Sequence, residues 1–253
     1  MMKSEGSNVG TMVFEFGRPN IARILKSAGL DFFIIDCEHG NHSWETVEDI
    51  VSVANAVGIT PLVRVPTVGR EQIAKALDCG AKGIVVPQIR TVEQVKQTVQ
   101  YARYPPLGQR GVALMRGNTG FEPVKSSLDY MRSANENLLI LPQIETNEAL
   151  EHIEEIASID GISGLFLGAV DLSVANGLEH PFEDSTVQNA FTTMMEVCKR
   201  NRILSAAHLN NLEVLRTWIA AGLNLVSYNA DAMALMNAYR SSVEYLKRPQ
   251  DGA

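Results

Sequence analysis

Apolar residues along this chain fall into short runs of two alternating kinds. One kind is continuous: Asp31-Phe-Phe-Ile-Ile-Asp36, Pro61-Leu-Val-Arg-Val65, Gly83-Ile-Val-Val-Pro-Gln88, Leu138-Leu-Ile-Leu-Pro-Gln-Ile-Glu145 and Gly164-Leu-Phe-Leu-Gly-Ala-Val-Asp171. Unbroken apolar runs of about four to eight residues mark strands covered on both faces, as in a parallel sheet. Thr11–Phe16, Ile203–His208 and Leu225–Tyr228 extend the set. The other kind keeps helical spacing. Ile21, Ile24, Leu25 and Ala28 precede Gly29, Trp44–Val57 follows the N-cap candidate Ser43, Arg70–Cys79 stops at Gly80, and Thr91 caps a helix to Ala102. Asn147–Ala157, Thr186–Asn201, Asn211–Ala221 and Asp231–Leu246 complete it, with a further helical pattern at Ser126–Asn135.

Counted in order, eight strands alternate with eight helices. That alternation predicts a single α/β domain over residues 1–253, a (β/α)8 TIM barrel whose parallel sheet closes on itself. An open doubly wound sheet is the runner-up, but no GxGxxG follows the first strand, which weakens a dinucleotide role. Residues 103–124, rich in Gly, Pro and Arg, form the one long irregular stretch and are expected to cover a site.

Composition narrows the partners. The net charge of −7 supplies no basic field for nucleic acid or an anionic membrane. The three cysteines, Cys37, Cys79 and Cys198, are scattered and lack CxxC spacing, so reduced thiols in a cytoplasmic protein are expected rather than disulfides or a zinc site. The opening residues carry no apolar leader, and no run reaches membrane-spanning length.

In a barrel of this kind catalytic groups collect where strands end. Those ends here carry Asp36, Glu38 and His39, then Arg64, Gln88, Gln143 with Glu145, Asp171 with Ser173, His208, and Tyr228 with Asn229. Two carboxylates closing neighbouring buried strands, Glu145 and Asp171, are costly unless a cation lies between them, and a hard divalent ion is the simplest candidate. No lysine stands at a strand end, which argues against Schiff-base chemistry. Plainer readings stand beside these. Glu145 and Asp171 suit helix N-termini as acids, Arg64 could pair with a buried acid, and His208 and Tyr228 read as barrel-rim packing.

Six ordered motifs carry a resemblance: Asp36-Cys-Glu-His-Gly40, Val63-Arg-Val-Pro66, Leu77-Asp-Cys-Gly-Ala81, Arg103-Tyr-Pro-Pro-Leu-Gly-Gln-Arg-Gly111, Gln143-Ile-Glu-Thr146 and Gly168-Ala-Val-Asp-Leu-Ser173. From about Gly10 to Tyr239 the chain resembles the HpcH/HpaI aldolase family of class II pyruvate aldolases, with a local likeness to macrophomate synthase at Phe14–Ile21. The resemblance implies a (β/α)8 barrel holding Mg²⁺, Mn²⁺ or Co²⁺ on Glu145 and Asp171. It implies that Arg64 binds pyruvate oxygens and steadies an enolate, and that His39 is the acid/base. Asp78 would reach a neighbouring subunit's histidine, while Gln143, Gly168, Ala169, Val170 and Ser173 would line the substrate. It further implies a homo-oligomer, trimer or hexamer, with helix 231–246 exchanged between subunits, and a place in aromatic catabolism. The usual family sequence Gly-Pro-Ala-Asp is here Gly168-Ala-Val-Asp171, which bears on substrate range.

Three readings follow. The first is a lyase that cleaves a 4-hydroxy-2-oxo acid to pyruvate and an aldehyde. The second is an oxaloacetate decarboxylase or macrophomate-synthase-like enolate enzyme. The third is a non-catalytic carboxylate-binding barrel.

Overall fold

The computed structural model describes residues 6–179 and 184–248. Eight parallel strands close in sequence order into a barrel: β1 Asn8–Val13, β2 Phe32–Asp36, β3 Thr60–Arg64, β4 Gly83–Val86, β5 Leu139–Ile144, β6 Gly164–Leu167, β7 Leu204–Leu209 and β8 Leu225–Ala230. The helices are α1 Ile21–Ser27, α2 Trp44–Val57, α3 Arg70–Asp78, α4 Val92–Ala102, α5 Ser127–Asn137, α6 Asn147–Glu151, α7 Ile153–Ala157, α8 Ala169–Ala175, α9 Ser185–Asn201, α10 Leu212–Ala220 and α11 Asp231–Leu246. Among the described residues no helix is long and apolar enough to cross a membrane.

Two apolar layers explain why the strands read as unbroken runs. Residues such as Phe33, Ile35, Val63, Ile84, Ile140 and Leu165 face the helices. Their neighbours Phe32, Ile34, Leu62, Val85, Leu141 and Phe166 fill the lumen. Each strand thus buries both faces, and the period-two signal disappears from its composition.

Local chemistry sets several boundaries. Ser43 caps α2 by accepting the Thr46 N–H at 3.1 Å, and Thr91 and Gln94 form a reciprocal capping box on α4. The first strand lies three residues earlier than its apolar pattern suggests. Past Val13, the N–H groups of Phe14, Glu15 and Phe16 leave the sheet and donate to the Asp231 carboxylate. The helix expected over 147–157 divides at His152, whose φ of −100° and ψ of 12° interrupt it. The sixth strand stops at Leu167, short of the acidic end expected of it. Gly168 turns the chain with ψ 77°, and Asp171 sits in the first turn of α8. Within the stretch 103–124 there is a single 3₁₀ turn at Gly117–Thr119.

Candidate active site

The lumen changes character at its C-terminal mouth. One pleat above the apolar layer, the inward positions become Asp36, Arg64, Gln143, His208 and Ser227. Alternation puts them there. Ile35, Val63, Ile144, Ala207 and Val226 face the helices, so the residues beside them face in.

Arg64 is held by a fork. Its Nε and one terminal nitrogen donate to the two oxygens of Asp36 at 2.9 and 2.6 Å, and its other terminal nitrogen lies 3.1 Å from Glu38. Asp36 is fully buried, and its Oδ1 also accepts the N–H of Glu38 at 2.9 Å and of His39 at 3.4 Å. One carboxylate therefore fixes both the guanidinium and the loop that carries His39. Burial alone would lower the guanidinium pKa, but the hydrogen bonds and charge of Asp36, with Glu38 behind, raise it. The plain reading of Arg64, pairing with a buried acid, is thus part of the structure. Three of its five N–H groups are engaged, leaving two for a ligand.

Glu145 follows β5 and is 2% exposed. Its Oε1 accepts the Gln88 N–H at 2.6 Å, with Gln88 in the left-handed region at φ 55°. Its Oε2 accepts from the Gln143 amide. Burial is the main reason its pKa is lifted to about 7; the Gln88 N–H and Arg64 pull down, while Asp171 and Glu38 push up. Gly168 makes room, since a Cβ there would stand 2.5 Å from Glu145 Cβ and 2.6 Å from its Oε2. Gln143 Oε1 is buried without a hydrogen-bond partner.

Among the described residues no group of three or more His, Cys, Asp or Glu is set to hold a metal ion. What the mouth does present is two carboxylates, Glu145 and exposed Asp171, with an orphaned amide oxygen beside them and Glu38 close enough to raise the Glu145 pKa. That donor set suits a hard ion which keeps water and ligand oxygens in its shell. The residues present fit such an ion.

The other expected site residues are placed unevenly. His39 is exposed, 63% by side chain, with Nε2 3.8 Å from Glu38. Ala169 is buried and Val170 is 53% exposed beside Asp171. Ser173 is buried, and its hydroxyl donates to the Val170 carbonyl at 2.7 Å, so it braces the α8 turn. Asp78 does not join the group. It ends α3, on the side where β4 begins, opposite the mouth. There it accepts from Arg110 at 2.7 Å, and that guanidinium lies 4.6 Å from the Tyr104 ring centroid. A cavity of about 650 Å³ opens at that same end, among Gly58, Lys82, Arg110 and Leu139, and contains none of the mouth's groups.

Sequence reasoning undervalued two groups. Glu38 was legible as a strand-end acid but belongs to the charge cluster itself. His208 faces the lumen with Nδ1 2.9 Å from Ser227 Oγ; the alternation Leu204, Ala206, His208 was the available signal.

Known proteins share this architecture. The sequence profile described as HpcH/HpaI aldolase/citrate lyase matches residues 11–238. A hydroxypyruvate/pyruvate aldolase of Deinococcus radiodurans is 34% identical over 230 residues, 88% of this chain and 80% of that protein. A 4-hydroxy-2-oxovalerate aldolase of Novosphingobium aromaticivorans is 41% identical over 165 residues, covering 63% of this chain and 60% of that protein. The crystal structure of an HpcH/HpaI aldolase from Desulfitobacterium hafniense superposes with a TM-score of 0.92 at 31% identity, covering 97% of this chain and 95% of that one.

Proposed function

Because the chain belongs to the HpcH/HpaI aldolase/citrate lyase family, we propose that it is a divalent-metal-dependent carbon–carbon lyase that cleaves a 4-hydroxy-2-oxo acid to pyruvate and an aldehyde. The observation that carries the reading is Glu145. That carboxyl is buried, lies close to two further acids, Asp171 and Glu38, and is flanked by the orphaned Gln143 Oε1, an oxygen-rich setting that suits a divalent ion. Glu145 and Asp171 would hold Mg²⁺, Mn²⁺ or Co²⁺. A bound divalent ion supplies Lewis-acid stabilisation of the charge that develops on the 2-oxo group.

The chain's own residues do the rest. Arg64 aims its two uncommitted N–H groups at the same developing charge, preorganised by Asp36 and Glu38. The Gly168 N–H donates to the Ile144 carbonyl at 3.0 Å, so the backbone of Ala169 and Val170 at the start of α8 offers the N–H groups to the substrate carboxylate. His39, on its exposed loop beside Glu38, takes the 4-hydroxyl proton directly or through water as the carbon–carbon bond breaks. Val170, exposed at the mouth where the family usually carries alanine, stands beside the substrate carboxylate and bears on substrate range.

The reading includes a homo-oligomer. Asp78 and His39 stand at opposite ends of one barrel, so for Asp78 to orient a histidine, as the resemblance implies, that histidine would belong to another copy. Within α11 only Asp231 is buried, while Leu235, Met236, Tyr239 and Val243 are exposed. An apolar helix surface of that kind is expected to pack on a second copy of the chain, by exchange or docking.

The test gives purified protein and Mg²⁺, Mn²⁺ or Co²⁺ either pyruvate with an aldehyde panel or oxaloacetate alone. Carbon–carbon bond formation abolished by EDTA supports the aldolase reading. Pyruvate from oxaloacetate without aldol products would replace it with a decarboxylase, and binding without turnover would leave a carboxylate-binding barrel.

A further inference from the structure

One polar pair in the mouth has no part in the chemistry above. His208 stands one pleat above Ala206 on β7, level with its register partner Ser227 on β8. Its Nδ1 lies 2.9 Å from Ser227 Oγ. Ser227 is fully buried, whereas His208 is part-exposed, so the imidazole opens toward the mouth and not the core. The last register pair between β6 and β7 is Leu167 with Ala207, and the residue that follows β6 is Gly168. Past that pair the chain continues as a residue without a side chain, and the space a Cβ would take there is bordered by Glu145 and Gln143.

Burial, helped by Arg64 and opposed by Asp36, drives the imidazole pKa down to about 4. Near neutral pH it carries one N–H and one bare nitrogen. Every oxygen of a 2-oxo acid anion accepts hydrogen bonds and none donates. Arg64 is already balanced by Asp36 and Glu38, so a neutral donor strengthens the grip on an anion without a second fixed charge.

We propose that His208 is a substrate-binding residue: Ser227 donates its hydroxyl to Nδ1, and Nε2–H donates to an oxygen of the bound 2-oxo acid, in the same mouth as Arg64. The ligand's identity rests on the enolate reading. The arrangement makes the pair a single device, with Ser227 selecting the tautomer and β7 aiming it.

The experiment uses oxalate, a planar dicarboxylate shaped like a pyruvate enolate, titrated calorimetrically into Mn²⁺-loaded wild type, H208L and H208Q. Imidazole ¹⁵N spectra of the wild type are recorded with and without oxalate. H208L is expected to weaken oxalate binding about tenfold, the worth of one hydrogen bond to a charged group, with H208Q restoring most of it. The spectra are expected to show a neutral ring protonated on Nε2 whose signal moves with oxalate. Unchanged oxalate affinity in a folded H208L, or a proton on Nδ1, overturns the proposal. Should H208L fail to fold, the wild-type spectra decide alone. A wild type that binds no oxalate and forms no pyruvate enolate removes the enolate reading and this inference with it. A wild type that does both, with H208L unaffected, removes only the inference.

Discussion

Replacing Asp36 with alanine tests the framework of the mouth. The carboxylate is fully buried, and it holds the Arg64 guanidinium at 2.9 and 2.6 Å while also accepting two backbone N–H groups. Removing one partner of a buried ion pair costs about 3–5 kcal/mol, chiefly because the other charge stays buried unpaired. Glu38 remains 3.1 Å from Arg64, which places Asp36→Ala near the lower end, about 3 kcal/mol. For a chain of this length that corresponds to a fall of roughly 6–12 °C in the thermal midpoint. Adding Arg64→Met removes the stranded charge, so the double variant should recover roughly 2 kcal/mol relative to the sum of the single losses. Thermal melts of the four proteins, followed by circular dichroism, measure the cycle. Strict additivity, or a loss under about 1 kcal/mol for Asp36→Ala, would show that the fork does not organise the mouth.

Three further outcomes follow from the geometry. Glu145 binds its proton more tightly folded, near pKa 7, than unfolded, near 4.5, so metal-free protein should lose stability as pH rises through that window, on the order of 3 kcal/mol. Glu145→Gln should flatten the slope, and a divalent ion should offset it most above pH 7; equal slopes for the two proteins would refute the assignment. Gly168→Ala sets a methyl 2.5 Å from Glu145 Cβ and should weaken Mn²⁺ binding at least tenfold, read by titration calorimetry, while costing about 1–3 kcal/mol of stability. Asp231→Ala strips the acceptor from the N–H groups of Phe14, Glu15 and Phe16 and should cost about 2–4 kcal/mol and loosen the base of α11, checked by melting and by amide exchange at those three residues.

Much of the barrel was legible because its strands bury both faces, which leaves runs such as Phe33-Ile-Ile35 with no polar interruption. Caps were legible for the same local reason: Ser43 and Thr91 act on residues three positions away. Boundaries set by distant partners were not. Nothing near Phe14 announces that its N–H belongs to Asp231, and nothing near Glu145 announces Gln88. Site residues at strand ends could be listed, but their pairing could not. That Arg64 is forked onto Asp36 rather than left free depends on β2 and β3 register, which matches these two residues across the sheet. His208 was read as rim packing because its role depends on which way β7 faces, a property of the closed barrel.

The central claim is that this mouth makes a pyruvate enolate on an ion held by Glu145 and Asp171. It is tested most directly without any choice of aldehyde, by following exchange of the pyruvate methyl protons in D₂O by proton NMR. Wild-type protein with Mg²⁺ or Mn²⁺ is predicted to exchange them well above the buffer rate, and EDTA or Glu145→Gln to return the rate to background. Exchange at the buffer rate by the metal-loaded wild type, or full exchange by Glu145→Gln, would contradict the account.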